Sequence, residues 1–155
     1  MKGKPEVIDT LNHLLADELT AINQYFLHAE MCEDWGYGKL HEVIEHRAIQ
    51  EMKHAEKLIG RILFLEGRPI VSELNKISIG DNVLKQFEND HAAEAEAIGA
   101  YNEAVALTSK MADNGSKILI ESILTEEEDH IDWIEGQLDQ IKQMGVQNYL
   151  VEQID

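Results

Sequence analysis

Two short segments constrain the fold of this chain more than any other feature of its sequence. Each has the pattern Glu-x-x-His, with Glu51 and His54 in the first segment and Glu127 and His130 in the second. Residues three apart share a face of an α-helix, so each segment would present a carboxylate beside an imidazole. The segments are 76 residues apart, and the same spacing relates two further pairs, Glu18 with Glu94 and Tyr25 with Tyr101. The chain therefore contains two copies of one unit, Glu-x6-Tyr followed by Glu-x-x-His.

The rest of the sequence predicts a bundle that could carry this pattern. Its 155 residues suffice for one domain over residues 1–155, and abundant Ala, Leu, Ile, Glu, Lys and Gln favour helices. Apolar residues recurring at three and four predict helices from Pro5 to about 35, 39–66, 81–111 and 117–144, with Asp81 as an N-cap. A short fifth helix is predicted over 149–154.

The segment 67–80 has no clear helical periodicity. At about 3.3 Å per residue it can reach about 45 Å, which is the length of a helix of about 30 residues. We therefore predict an all-α four-helix bundle with a long crossover between helices 2 and 3, which would make these two helices parallel.

Polar residues interrupt the apolar stripe of all four long helices at mid-length. They are Glu18 in the first helix, Glu51 and His54 in the second, Glu94 in the third, and Glu127 and His130 in the fourth. Counted from turns near residues 36 and 113, they lie at one height in the bundle. This layout, with one glutamate from each of two helices and Glu-x-x-His from the other two, is typical of carboxylate-bridged di-iron bundles.

Metal binding explains why four carboxylates and two imidazoles would occupy a core layer. Buried charges are costly unless they are paired, and four carboxylates neutralise two divalent ions. Mixed oxygen and imidazole donors suit iron, manganese or zinc better than magnesium or calcium. Tyr25 and Tyr101 are either core tyrosines with satisfied hydroxyls or partners of the ligands. Among the other apolar positions, Phe26 is predicted to face the core. Four further histidines are predicted to be unliganded surface residues: His13, His28, His41 and His91.

Composition excludes several classes of partner. Acidic residues outnumber basic ones 30 to 13, and a net charge of −17 argues against binding nucleic acids or anionic membranes. Cys32 is the only cysteine, so a disulfide framework or a thiolate metal cluster within one chain is excluded. No apolar run approaches the about 18 residues of a membrane span, and the first residues lack the apolar core of a signal peptide. We expect a cytoplasmic protein.

The sequence resembles the bacterioferritins, the haem-containing branch of the ferritin-like superfamily, over nearly its whole length. The resemblance is carried by five stretches: Glu18 to His28, Glu51 to Ala55, Arg61 to Gly67, Glu127 to Trp133, and Asn148 to Leu150. It implies a ferritin-like fold and a homo-oligomeric cage of 24 subunits, built from dimers, that stores ferric mineral. Each subunit would oxidise Fe(II) with O2 or H2O2 at a ferroxidase centre of two iron ions.

The resemblance also implies roles for individual residues. Glu18 and His54 would be terminal ligands of one iron, Glu94 and His130 those of the other, and Glu51 and Glu127 would bridge the two. Met52 and its symmetry mate would bind haem b axially between two subunits; without the resemblance, Met52 would be interpreted as a packing residue. A small ferredoxin-type electron donor for iron release is the corresponding partner.

Two positions depart from the pattern of the relatives. Some relatives hold a further iron on the cavity wall near His46 and an acidic residue at position 50, whereas this chain has Gln50 there and Arg47 beside it. A guanidinium at this wall disfavours iron, so we expect the inner iron site to be absent. Gln50 and Glu126 are also 76 residues apart, and either could orient the free nitrogen of a histidine ligand.

Two other functions remain open at the level of sequence. A rubrerythrin-like peroxidase has a similar di-iron site, but that class usually carries Cys-x-x-Cys motifs and this chain has a single cysteine. A haem-binding cage, or an acidic structural oligomer with inert carboxylates, needs no ferroxidase chemistry. Oligomer size and haem content distinguish these possibilities.

Overall fold

The computed structural model describes residues 1–155 and contains five helices and no strand. The helices are α1 (Pro5–Asp34), α2 (Gly38–Phe64), α3 (Val83–Lys110), α4 (Asn114–Met144) and α5 (Val146–Val151). The first two form an antiparallel hairpin, α3 and α4 form a second, and the short α5 packs against α4. This confirms the predicted all-α, ferritin-like four-helix bundle with a short C-terminal fifth helix. None of the helices is long and apolar enough to cross a membrane.

The crossover between α2 and α3 is attached to α1 by hydrogen bonds from its backbone. The amides of Ile70, Asn75, Ser78 and Gly80 donate to side chains of α1, at distances of 2.8–3.1 Å. The acceptors, in the same order, are Asn12, Thr20, Gln24 and His28. Because they follow one another along α1, the crossover runs beside this helix from one end of the bundle towards the other. The prediction of a long crossover, with α3 parallel to α2, is therefore confirmed.

Several helix ends differ from the predicted ones because of local capping. Asn82, not Asp81, caps α3, and its side chain accepts a hydrogen bond from the amide of Lys85. Helix α4 begins at Asn114, three residues before the predicted start, because the Asp113 side chain caps it by accepting a hydrogen bond from the amide of Ser116. The turn predicted near residue 113 is therefore followed directly by the first helical turn of α4. Gly145, at φ 83°, ends α4 and starts α5 directly, which places α5 three residues upstream of the predicted helix.

Two apolar clusters fill the bundle and leave a layer between them. One contains Leu11, Leu15, Leu58 and Ile120 among its members. The other lies towards the α1–α2 turn and contains Ile44, Phe87 and Ile134, among others. Each long helix contributes residues to both clusters, and its polar residues described above lie between these two contributions.

Two predicted orientations are wrong. The apolar stripe of α1 predicts that Phe26 faces the core, but 47% of its surface is exposed. His28 is predicted to lie at the surface, but it is fully buried, with Nδ1 2.9 Å from Asp90 Oδ1 and Nε2 accepting from the amide of Gly80. The apolar face of α1 thus includes Phe26, which the core of one chain does not cover. The buried interior also includes a polar contact, between His28 and Asp90, beneath the crossover.

Candidate metal centre

The four long helices bring six polar side chains together in the layer between the two apolar clusters. All six are at most 4% exposed, which confirms that the interrupted stripes face inward. They are Glu18 of α1, Glu51 and His54 of α2, Glu94 of α3, and Glu127 and His130 of α4. Each histidine lies one helical turn after the glutamate of its own pair, as the spacing predicts.

The first half of the layer is organised around Nδ1 of His54. This atom lies 2.8 Å from Glu127 Oε1, 3.2 Å from Glu51 Oε2 and 3.6 Å from Glu18 Oε2. Three helices therefore direct carboxylate oxygens at a single imidazole nitrogen. The ligand atoms of these four residues all lie within 4.8 Å of one another, close enough to share one metal ion.

The second half is organised around Nδ1 of His130. It lies 3.0 Å from Glu94 Oε1 and 3.9 Å from Glu51 Oε1. With Glu127, these residues form a second group whose ligand atoms lie within 4.8 Å of one another. Glu51 and Glu127 belong to both groups, so the arrangement could hold two ions with two shared carboxylates.

The two tyrosines connect the halves reciprocally. The Tyr25 hydroxyl donates to Glu94 Oε1, and the Tyr101 hydroxyl donates to Glu18 Oε1. Each tyrosine therefore bonds to the glutamate of the other repeat, which is the contact that a pseudo-two-fold axis between the repeats would produce. Of the two interpretations from sequence, the structure favours the one in which the tyrosines are partners of the candidate ligands.

Buried polar atoms without hydrogen bonds indicate what the site can hold. In each of the four glutamates one oxygen makes no aligned hydrogen bond, and this includes Glu127 Oε1, although it lies 2.8 Å from Nδ1 of His54. Nδ1 of His130 likewise lies near Glu94 without the alignment of a hydrogen bond. Native proteins satisfy nearly all buried polar atoms, because each unpaired one costs about 1–3 kcal/mol. Two divalent cations with oxygen and imidazole ligands would satisfy this set, so these residues fit a di-metal centre.

Comparison with known proteins identifies the family. The family model of the ferritin-like domain matches residues 8–144. Bacterioferritin of Brucella melitensis biotype 1 is 42% identical over 149 residues, which cover 96% of this chain and 92% of that protein. The chain belongs to the bacterioferritin family. Bacterioferritins of Mycolicibacterium paratuberculosis and Rhodobacter capsulatus are 42% and 41% identical over the same number of residues, covering 94% and 92% of their lengths.

The electrostatics of this bacterioferritin-family centre favour protons where metal ions would bind. Burial raises the pKa of Glu18, raises that of Glu51 well above its usual range and raises that of Glu127 to about 11. Burial acts in the same direction on Glu94, but hydrogen bonds, first from Glu127, outweigh it and lower the pKa of Glu94 to about 2. Burial would lower the pKa of His54, yet hydrogen bonds to its carboxylate neighbours raise it.

Besides the two tyrosines, one further side chain outside the ligand set contacts the centre. Glu126 Oε2 accepts a hydrogen bond from Nε2 of His54, and this bond lowers the pKa of Glu126. The spacing of 76 residues predicts either Glu126 or Gln50 for such a role. Only Glu126 makes the contact, since no hydrogen bond joins Gln50 to either histidine.

A small opening leads from the centre to the surface beside the crossover. Its volume is about 60 Å³, and its lining includes all four buried glutamates. At the outer end lie Asp17, Glu96, Asn75 and Lys76. A second cavity, of about 270 Å³, is lined by His130 together with His46, Arg47 and Asp129. The centre is therefore accessible from two sides.

Met52 lies apart from the centre. Although it follows Glu51 directly, its side chain is 45% exposed, since one residue rotates the helix by about 100°. Two other apolar side chains on α1 and α2, Phe26 and Ile49, are 47% and 38% exposed. The candidate haem ligand thus lies on the surface of the α1–α2 hairpin and belongs to neither ligand group.

Proposed function

We propose that this protein is an iron-storage ferroxidase, which oxidises Fe(II) with O2 or H2O2 and deposits ferric mineral inside a cage of 24 subunits. The observation that carries the proposal is the pair of overlapping ligand groups, buried in a single chain and sharing Glu51 and Glu127. Membership of the bacterioferritin family supports the storage role. Fe(II) is the substrate of this reaction, and the stored ferric mineral is its product.

Each residue of the centre has a distinct task in this proposal. Glu18 and His54 hold one iron, and Glu94 and His130 hold the other. The bridging pair, Glu51 and Glu127, sets the separation of the two irons. Two Fe(II) ions supply the two electrons that, with two protons, convert O2 to H2O2 or H2O2 to two waters. The chain brings both electron donors within reach of one oxidant molecule.

The tyrosines orient the terminal carboxylates. Tyr101 occupies Oε1 of Glu18 and leaves Oε2 without a partner, and Tyr25 does the same for Glu94. Each of these carboxylates is thereby fixed by one oxygen and free to bind iron through the other. Such hydrogen bonds from outside the ligand set typically preserve ligand orientation and metal affinity.

The opening beside the crossover is the route that we assign to Fe(II). At its outer end the acids Asp17 and Glu96 outnumber the single base Lys76, so this end favours cations. The buried glutamates follow directly behind. A net charge of −17 strengthens this attraction at low ionic strength. The route therefore delivers the cation to the terminal and bridging carboxylates without crossing either apolar cluster.

Haem b would bind outside the centre, between two subunits. Met52 supplies a thioether on an exposed surface of α2, with Phe26 and Ile49 as further exposed apolar side chains of the same hairpin. A two-fold contact would supply the second thioether from the partner subunit. A ferredoxin-type donor that reduces the stored iron through this haem is part of the same proposal.

The test is a titration of metal-free protein with Fe(II) in air, followed by ferric absorbance and by counting iron per chain. We expect a rapid phase that ends at about two irons per chain and then slower uptake. Glu51→Ala should lose the rapid phase, because both ligand groups lose a member. Glu128→Ala removes an exposed acid of the same helix and should keep it.

The result that would overturn the proposal is a folded wild-type protein without any rapid phase. The carboxylates would then hold another metal or serve only the structure. Size-exclusion chromatography tests the cage separately, since a dimer that oxidises iron would retain the ferroxidase reaction and contradict storage.

A further inference from the structure

We propose that Glu126 is a positioning residue that holds His54 towards the metal and makes the two metal sites of the chain unequal, the His54 site being the tighter. This inference rests on the proposed function, because it concerns the affinities of the same two ions. It assigns a task to a residue outside the six candidate ligands, and it predicts an order of filling.

The contact fixes the orientation of the imidazole ring. The Nε2–H of His54 donates to Glu126 Oε2, while Nδ1, on the other side of the ring, faces three carboxylates. Since Glu126 fixes the proton on Nε2, the lone pair of a neutral ring belongs to Nδ1 and points into the centre. A flipped ring would lose this hydrogen bond.

Glu126 also lies near a cation of α2. Its second oxygen, Oε1, lies 4.0 Å from Nζ of Lys57, one turn after His54 on α2. It directly precedes Glu127 on α4, so the two acids approach His54 from the same helix, one at each ring nitrogen. The contact therefore couples α2 to α4 at the edge of the metal layer.

His130 has no corresponding partner. The residue that the repeat places opposite it is Gln50, which makes no hydrogen bond to it, and no other side chain or carbonyl hydrogen-bonds to Nε2 of His130. Its ring packs edge-on against Tyr25, with centroids 5.3 Å apart, and borders the cavity of about 270 Å³. No polar partner therefore holds Nε2 of His130, and the space beside the ring permits other orientations.

The two halves otherwise share their main contacts. The tyrosine–glutamate bonds obey the repeat in both directions, and the two ligand groups are equivalent in composition. The hydrogen bond to Nε2 is present only for His54, whereas His130 borders the cavity on that side. The affinity of the His54 site should therefore respond to substitution of Glu126 and not to general loss of acidic charge.

Anaerobic titration of the metal-free, assembled protein with Co(II) tests this, because d–d absorption reports each ion without oxidation. The wild type should bind two Co(II) per chain in two resolved steps. Glu126→Ala should weaken the first step by about 10- to 100-fold and leave the second nearly unchanged. Glu126→Gln keeps an acceptor for Nε2–H without the charge, so the affinity of its first step should lie between those of the wild type and Glu126→Ala. Glu128→Ala should match the wild type.

Two results would overturn the inference: Glu126→Ala with an unchanged first step, or with both steps weakened equally. Circular dichroism and chromatography confirm that each variant is folded and assembled, and Glu126→Gln provides the comparison if the alanine variant is not. A wild type that binds fewer than two Co(II) per chain would instead contradict the proposed di-iron function, so the two failures are distinguishable.

Discussion

Loading the centre with two divalent ions should expel about three to four protons per chain at neutral pH. In the metal-free protein, the raised pKa values of Glu51 and Glu127 keep both carboxyls protonated, and the raised pKa of His54 keeps it an imidazolium. Each must lose a proton to bind metal. Glu18, whose pKa burial also raises, is the candidate source of a fourth proton.

The charge of the layer gives the same count. Without metal, the ionised Glu94 offsets the His54 imidazolium, so the buried layer is near neutral. With two divalent ions, four ionised glutamates offset four positive charges, and the layer is neutral again. Burial disfavours any net charge in this layer, since unpaired charge at low dielectric is costly. Four added charges therefore require about four departing protons.

The assay is the anaerobic addition of Zn(II) to weakly buffered, metal-free protein with a pH indicator. Zn(II) is not oxidised, so the protons come from binding alone. The overall binding constant should also rise by about three to four powers of ten for each unit of pH between 6 and 8. Glu127→Gln has no such proton to lose and should release about one proton fewer for each pair of Zn(II) ions bound. Because Glu127 is shared by both ligand groups, this variant should also bind Zn(II) more weakly. Release of less than one proton per chain by the wild type at two Zn(II) would refute the reasoning.

Three further predictions concern stability and haem. Metal-free protein should lose stability as pH rises from 5 to 8. The folded state keeps protons on Glu51 and Glu127 that the unfolded state releases above pH 4.5, and the stabilising charge on His54 is fully present only below pH 6.5. Urea unfolding at several pH values measures this loss, and a flat profile would contradict it. Met52→Leu should abolish haem binding, read from the absorbance spectrum, and keep the rapid iron phase; loss of both would show that the sites are not separate. Arg61→Ala should cost about 2–3 kcal/mol in chemical unfolding, because the buried part of the guanidinium bonds to Asp113 and Ser116 at the start of α4. Lys53→Ala is the exposed control on the same helix, and an equal effect would refute the argument.

The candidate centre could be located from sequence because its signal is periodic. Glu51 and His54 lie one turn apart, their counterparts repeat at a fixed offset, and charges within an apolar stripe are conspicuous. The partners could not be located in the same way. Tyr25 contacts Glu94 and not a residue of its own helix, and this contact depends on how α1 faces α3.

The wrong predictions have physical reasons as well. Periodicity identifies an apolar face but not what covers it, so Phe26 was assigned to a core that does not include it. His28 was assigned to the surface because histidine counts as polar, although it lies three residues after Tyr25, on the same face of α1. That spacing was the available signal for its burial.

The attachment of the crossover to α1 has a consequence for how this protein can vary. Loops usually tolerate insertions and deletions because their backbone is solvated. Here the amides of Ile70, Asn75, Ser78 and Gly80 each bond to a particular side chain of α1. Removing or adding one residue between 70 and 80 would misalign the later bonds and leave the buried His28 without a donor. Although irregular in conformation, this segment should keep its length through evolution as strictly as a helix does.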